Sequence, residues 1–475
     1  MKTTIYLKLI SLSVILCFCL MSCDKFVDID TPIDKVATKS VFNSDETAVA
    51  ATLNLYIMMN ASSTAIPYYI SATGGMYTDE LKSYSTTESV RSVYLNGLTS
   101  VNGPFLNIWK TGYNMIYQSN AVIEGCEQSK VITPSISKQL TAESLLMRAY
   151  WHLLLSNFYG DIPVVTSTDH QISSVAKKLP VSEVYKQVIS DLLIAERDLS
   201  IEYLNGDTKT PISERIRPNK YAAMALLARV YLYDKQFSQA ELYASKVIDN
   251  KALYSLPTTD KVFLKGSSEA IWQLARPIPN AATLNTYEAF YYTLTSKPSA
   301  GITNSITITD DLLNAFELSD LRKTLWLGKF KDATGEYNFP NKYKSKSTSL
   351  VEENTIVLRL AEQYLIRSEA RAMINSFAGA RDDLNAIRRR ASLDDNLAND
   401  QIALINAILK ERRIEFFSEW GYRLIDLNRT NKLDGVMNAY ANQKGATWQS
   451  FKKYLPIPQR ELDNNPNLKQ NDGYN

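Results

Sequence analysis

Three pairs of adjacent carboxylates, Asp79-Glu80, Asp310-Asp311 and Asp382-Asp383, are the first residues to weigh for chemistry. Cleaving a glycosidic bond takes two carboxyl groups facing each other across it, about 5–10 Å apart. Neighbours in sequence point apart on a helix. None of the pairs is therefore such an arrangement by itself, and Asp382-Asp383 reads as the solvated face of a helix. The two histidines, His152 and His170, are too few for a histidine metal cluster, and His152 reads as packed inside a helical repeat. The chain carries no Gly-rich phosphate loop, no Gly-x-Ser-x-Gly elbow and no His-Glu-x-x-His. Arg388-Arg389-Arg390 and Glu411-Arg412-Arg413 fall on predicted helices. There they read as a solvated face or as ion pairs with Glu415 and its neighbours.

The thiol of Cys23 has the clearest chemistry. It closes the box Leu20-Met21-Ser22-Cys23, after Lys2, Lys8 and an apolar run from Leu9 to Leu20. A basic start, an apolar centre and a small residue at the cut describe a secretory signal. The cysteine directly after Ser22 makes it a lipoprotein signal, with cleavage before Cys23 and a diacylglycerol on its sulfur. Residues 1–22 are then a signal peptide and residues 23–35 a lipidated tether. The apolar run is too short to span a bilayer comfortably, and no second run reaches that length, so the lipid is the expected membrane contact. Cys17 and Cys19 leave with the leader, and Cys126 alone cannot form an intrachain disulfide. Lys and Arg total 52 against 50 acidic residues, and Lys2 and Lys8 also leave, so the remaining chain is neutral. A nucleic-acid partner, which needs a basic face, is not indicated.

Helices must position whatever site exists. Ser44 reads as an N-cap, with Asp45 and Glu46 in the first turn and Ala48, Ala51, Leu55 and Met58 on one face. Further helical runs are predicted over 107–127, 139–158, 181–199, 218–234, 237–249, 356–374, 377–391 and 400–419. Residues 60–106 read as a long loop region, with Gly74-Gly75, Asn96-Gly97 and Asn102-Gly103-Pro104 as turn signals. Residues 250–355 read as irregular, apart from a short strand at Glu269–Leu274. Met224, Leu227, Ala228, Tyr231, Ala240, Ala244 and Val247 fall at the spacing of a tetratricopeptide repeat. A second copy reads Tyr364, Ser368, Ala380, Leu384 and Ile387, with Arg371 where a tyrosine is usual. A weaker first helix reads Leu145, Ala149 and His152.

Several segments together resemble one family. They are Ala142–Tyr150 running into Asn157-Phe-Tyr-Gly-Asp-Ile-Pro163, then Ala225–Tyr233 and Leu358–Ala370, then Glu411-Arg-Arg-Ile-Glu-Phe-Phe417 continuing to Arg429, and Tyr454-Leu-Pro-Ile-Pro458 continuing to Asn471. This pattern is similar to the SusD/RagB family of outer-membrane lipoproteins from Bacteroidetes. The resemblance implies a mainly α fold: a tetratricopeptide-like helical-pair scaffold with long loop regions and a few short strands. It implies an N-terminal part over about 36–250 and a C-terminal part over about 260–475. It further implies a surface lipoprotein, facing the exterior, that binds glycans or oligosaccharides. Such a protein delivers them to a SusC-like TonB-dependent outer-membrane β-barrel for import, without catalysis or cofactor. The RagB branch implies peptides as an alternative ligand, and a tethered glycosidase is a further alternative.

The family motifs are scaffold motifs, so ligand contacts follow from physical reasoning. Tyrosine is abundant, at 28 against 15 Phe and 6 Trp. Its flat face suits a sugar ring and its tip a hydroxyl. Loops on a rigid frame carry recognition, so the two irregular regions supply the candidates. They are Tyr77, Tyr84, Arg91, Tyr94 and Asn96 in the first, and Tyr287, Tyr291, Tyr292 and Trp326 in the second.

Overall fold

The computed structural model describes residues 41–61, 65–103, 105–276, 285–346 and 350–474; the leader, Cys23 and the tether lie outside the described residues. Eight helices follow one another in space as they do in sequence. They are Phe105–Gln128, Pro134–Tyr159, Val181–Asp198, Lys220–Tyr233, Phe237–Ile248, Leu360–Met373, Phe377–Arg390 and Gln401–Phe416, each packed on the next. Their starts have local causes. Pro134 occupies the first turn of its helix, where a missing N–H is harmless. The Asn219 side chain accepts from the Tyr221 and Ala222 N–H groups, and Asp400 accepts from Ala403 N at 2.9 Å. Ser44 caps the earlier Asp45–Met59 helix through Thr47 N at 3.3 Å, as its position predicts.

Two of the helical pairs repeat one another down to the turn. Lys235 and Asn375 both take positive φ, at 60° and 64°. The following residues, Gln236 and Ser376, each donate N–H back to the carbonyl of Tyr231 or Arg371 at 2.8 Å. This closure satisfies carbonyls at the helix end and turns the chain back on itself. Ala228, Ala240, Ala244 and Ala380 are wholly buried between the paired helices. The Ser368 hydroxyl donates to Ala380 O at 2.6 Å. Tyr231 stacks on Tyr243, with ring centroids 5.5 Å apart. Arg371 pairs with Glu241 of the first repeat at 2.7 Å and Asp383 of its own at 2.9 Å, which locks the two repeats together. Asp383 is thus a buried ion-pair partner and only Asp382 is solvated, a correction to the reading of that pair.

One helix is shorter than its periodicity predicts. Thr355–Arg359 is a strand, antiparallel to Ala270–Leu274, and the helix begins only at Leu360. The run is buried on every side, and β-branched Thr355, Ile356 and Val357 suit a strand there. Other short strands pair as Leu81–Ser83 with Ile306–Ile308, and as a hairpin of Leu327–Asp332 with Gly335–Pro340. One apolar core runs from Leu55 to Leu468. A smaller one, around Phe42, Ala48, Val122 and Leu140, fastens the first described helix. Among the described residues no helix is long and apolar enough to cross a membrane.

The last repeat is tied to the segments before it by buried charge. Arg359 contacts Glu269 at 2.8 Å, Glu415 at 2.5 Å and Glu419 at 2.9 Å. Arg390 reaches Glu269 and Glu415, and Arg322 reaches Asp320 and Glu415 at 2.9 Å each. Lys342 pairs with Glu419 at 2.5 Å. Burial pushes the Glu415 carboxyl up, but Arg390, Arg359 and Arg322 outweigh it and hold the group well below the usual carboxylate range. The two basic runs therefore serve mainly in ion pairs. Arg389 is the solvated member of its triplet, paired with Asp395. Removing one partner of such a network strands buried charge, which costs about 3–5 kcal/mol. Glu415→Ala is expected to lower unfolding stability by about that amount in urea denaturation followed by circular dichroism, whereas Asp395→Ala, at the exposed Arg389 pair, changes it by less than about 1 kcal/mol.

Candidate functional site

The region expected to be loop contains two helices. Ile66–Tyr77 has Ile66 to Tyr68 and Ile70 to Tyr77 all buried, and Glu88–Tyr94 follows the first strand. The first helix escapes the sequence because it is buried all round, so no polar face marks a period. Its glycines mark close approach rather than a turn. A Cβ on Gly74 would sit 2.5 Å from the Gly421 Cα, and one on Gly75 would meet the Leu81 side chain at 2.6 Å. Ser71 Oγ accepts from Trp420 N at 2.9 Å and seats the helix against the Gly421 turn.

That packing sorts the candidate residues. Tyr77 is inaccessible: its hydroxyl donates to Lys452 O at 2.9 Å and its ring meets Trp448 edge-on. Asn96 is buried, with φ 52°, and its amide donates to Tyr77 O at 2.8 Å. Tyr287 lies under the Arg276 guanidinium, 4.1 Å from its ring centre, and Tyr292 is buried against Tyr68. Trp326 is buried beside the ion network and donates its indole N–H to Thr259 O at 2.9 Å. These five pack the structure. Tyr84, Tyr94 and Tyr291 are half-buried and Arg91 is exposed.

Tyr84 leaves the first strand with its N–H bonded to Ser305 O at 2.8 Å. Its ring meets Tyr337 of the hairpin edge-on, with centroids 6.3 Å apart. Phe330 stands opposite Tyr337 in the hairpin register, so the two share a face, and both are half-buried. The hairpin turn is set by Asp332, whose side chain accepts from Thr334 N at 2.8 Å. Tyr94 adjoins this group: burial, and next the neighbouring Tyr84, push its phenol above its ordinary value. A second aromatic group forms where Tyr291 stacks on Tyr68 at 4.3 Å, with Tyr69 and Phe290 beside it. Tyr69, Phe290, Phe330 and Tyr337 were not picked out from the sequence. For Phe330 and Tyr337 the available signal was alternation around the Asp332-Ala-Thr-Gly335 turn.

The carboxylate pairs have other work. Asp79 is clamped by Arg423 at 2.7 Å and Arg413 at 2.9 Å, and Arg413 also reaches Asp311 at 2.5 Å. His152 is buried, accepts from Val165 N, and is pushed down to about 3 by burial.

Two family models match this chain: one described as starch-binding associating with outer membrane over residues 25–232, and one for the SusD family over residues 322–474. The chain belongs to the SusD/RagB family. It is 24% identical over 533 residues to the SusD-like protein P25 of Formosa agariphila, covering 97% of this chain and 98% of that protein. It is 34% identical over 128 residues to the starch-binding protein SusD of Bacteroides thetaiotaomicron, covering 25% of this chain and 21% of that one. Among solved structures, a SusD superfamily protein from Bacteroides vulgatus aligns with a TM-score of 0.77 at 18% identity, covering 91% of this chain and 99% of that chain. A laminarin-binding SusD-like protein aligns with a TM-score of 0.74 at 22% identity, covering 90% of this chain and 99% of that chain. The SusD-like fold of this chain is thus a helical scaffold carrying a few short strands, as its repeats imply.

Beneath the aromatic surface lie two carboxyls that burial raises, Glu80 to about 8 and Glu288 to about 7. A raised folded pKa means that the native state holds a proton the unfolded chain has lost. The stabilisation is complete below about pH 4.5 and is lost as pH rises through 7 and 8. His152, lowered to about 3, acts oppositely up to about pH 6.5, one group against two, and Lys444 and Lys342, lowered by burial to about 7 and about 8, act oppositely above pH 7. Urea midpoints are therefore expected to fall between pH 5 and pH 7, and Glu80→Gln to flatten that fall. An unchanged slope in the variant would remove Glu80 from the account.

Proposed function

We propose that this SusD-like chain is a non-catalytic lipoprotein of the outer-membrane surface that binds glycans and delivers them to a SusC-like TonB-dependent β-barrel. The observation that carries the glycan reading is the grouping of half-buried Tyr84, Tyr94 and Tyr337 on a strand-and-hairpin surface held by a rigid helical frame. Their ring faces suit the C–H face of a sugar, and Arg91 beside them suits hydroxyl or acidic groups. Family membership supports the reading. So do the names of relatives and neighbours, which include starch-binding, laminarin-binding and surface glycan-binding proteins. The ion-paired state of Asp79, Asp311 and Asp383 supports binding over cleavage, because a carboxylate held by guanidinium is a poor proton donor. Cys23, outside the described residues, carries the anchor in this reading, and the barrel is the protein partner.

Titration calorimetry against a panel of oligosaccharides and peptides, with a reducing-end assay alongside, tests the proposal. One glycan class should bind without turnover. Tyr84→Ala should weaken it about tenfold, ~1.4 kcal/mol, at unchanged melting temperature. Tyr77→Ala should instead lose about 3–5 kcal/mol of stability, as large buried aromatics do. Peptide binding in place of glycan binding, or release of reducing ends, would overturn the reading. Cys23→Ser should release the protein from the membrane fraction.

A further inference from the structure

We infer that the glycan taken by the Tyr84–Tyr94–Tyr337 surface is acidic, carrying carboxylate or sulfate groups that Lys82 and Arg91 meet beside the tyrosine rings. The inference rests on the glycan-binding reading of that surface and adds the substrate class. Lys82 is exposed, and its ammonium stands 5.0 Å from the centre of the Tyr84 ring. Arg91 is exposed one helical turn before Tyr94, on the same face of the Glu88–Tyr94 helix. Neither has a carboxylate within ion-pair distance among the described residues, and the Arg91 guanidinium makes no hydrogen bond there. Asp332 in the hairpin turn is occupied, its Oδ1 taking the Thr334 N–H at 2.8 Å and the Thr334 hydroxyl at 2.6 Å.

The contrast with the rest of the chain gives these cations their weight. Arg148, Arg217, Arg229, Arg367 and Arg429 each close on a carboxylate at 2.7 Å or less. Guanidinium in this fold is ordinarily matched. Exposed Arg91 is not, as exposed Arg460 elsewhere is not; what sets Arg91 and Lys82 apart is their place beside half-buried tyrosine rings. A sugar stacked on Tyr84 presents its ring substituents sideways, toward the ring edge. The Lys82 ammonium stands over one face of the Tyr84 ring, so a sugar on this surface meets it as a point charge, and Arg91, one turn before Tyr94, offers a planar fork that takes carboxylate or sulfate through two parallel bonds. A neutral glycan would use the stacking faces and leave both cations in water.

The purified full-length protein, titrated with polygalacturonate fragments, with sulfated galactan fragments and with neutral β-glucan fragments, tests this. Polygalacturonate carries only carboxylate and the galactan only sulfate, so the two arms separate the sources of charge. One acidic series should bind at least tenfold tighter than the neutral one. That preference should shrink at least fivefold between 50 and 500 mM salt, since exposed charge pairs are screened. Lys82→Ala/Arg91→Ala should abolish the preference, and Arg91→Lys should recover only part of it. Binding of the neutral glucan, insensitive to salt and to the double variant but weakened by Tyr84→Ala, would overturn the acidic assignment and leave the glycan reading standing. Retention of no glycan, or of an acidic peptide alone, would overturn both.

Discussion

Glu415 is held by three guanidiniums, those of Arg322, Arg359 and Arg390, in a part of the molecule that water does not reach. The three arginines arrive from different places: a short helix after Asp320, the end of a buried strand, and the end of the second repeat. Each buried ion would cost several kcal/mol alone, and only the complete set repays the desolvation. The network is therefore all-or-none. If the 320–359 segment undocks, the carboxylates of the Gln401–Phe416 helix are stranded, and the converse also holds. A chain with no disulfide within its described part obtains from this network a fixed relation between its repeats and its loops.

The hairpin that carries Phe330 and Tyr337 lies between two anchors of this same network. Arg322 precedes it and Lys342 follows it, each nearly inaccessible and each bonded to the Glu415–Glu419 turn. The strand at Leu81–Ser83 is fixed independently, through Asp79 and its clamp of Arg413 and Arg423 on neighbouring helices. Tyr84 thus extends from one clamped segment and Tyr337 from another, and their edge-on contact joins the two. Aromatic surfaces on mobile loops lose ordering entropy when a ligand arrives. Here the ordering is completed during folding, by charge pairs several residues away from the rings.

Which features were readable in the sequence follows from the same physics. Most of the eight stacked helices carry a polar face and an apolar face, so their period shows; Lys220–Tyr233, buried from Ala222 onward, shows instead through its helix-forming alanines and leucines and its repeat spacing, and the predicted limits fall within a few residues of the observed ones. The Ile66–Tyr77 helix has no polar face to show. Its glycines, which face the Gly421 backbone and Leu81, imitate a turn signal. Asp383 reads as solvent-facing beside Asp382, and only the arrival of Arg367 and Arg371 buries it. The tyrosines are the hardest to sort. Tyr77 and Tyr84 have similar small polar neighbours in sequence. What separates them is the carbonyl of Lys452 and the ring of Trp448, both supplied from near the other end of the chain.

The scaffold and the proposed ligand surface therefore answer to different constraints. In the scaffold, many buried charges and capping residues have partners that a substitution would orphan. Ser368 to Ala380, Arg371 to Glu241 and Asn219 to its helix are examples. On the hairpin surface Lys82, Arg91 and the outer faces of Tyr84 and Tyr337 answer to nothing inside the molecule beyond their own rings. Substitution there disturbs little of the fold, so the ring spacing and the nearby charge are free to vary while the frame stays as it is. That separation is consistent with a SusD-like frame recognisable at low identity.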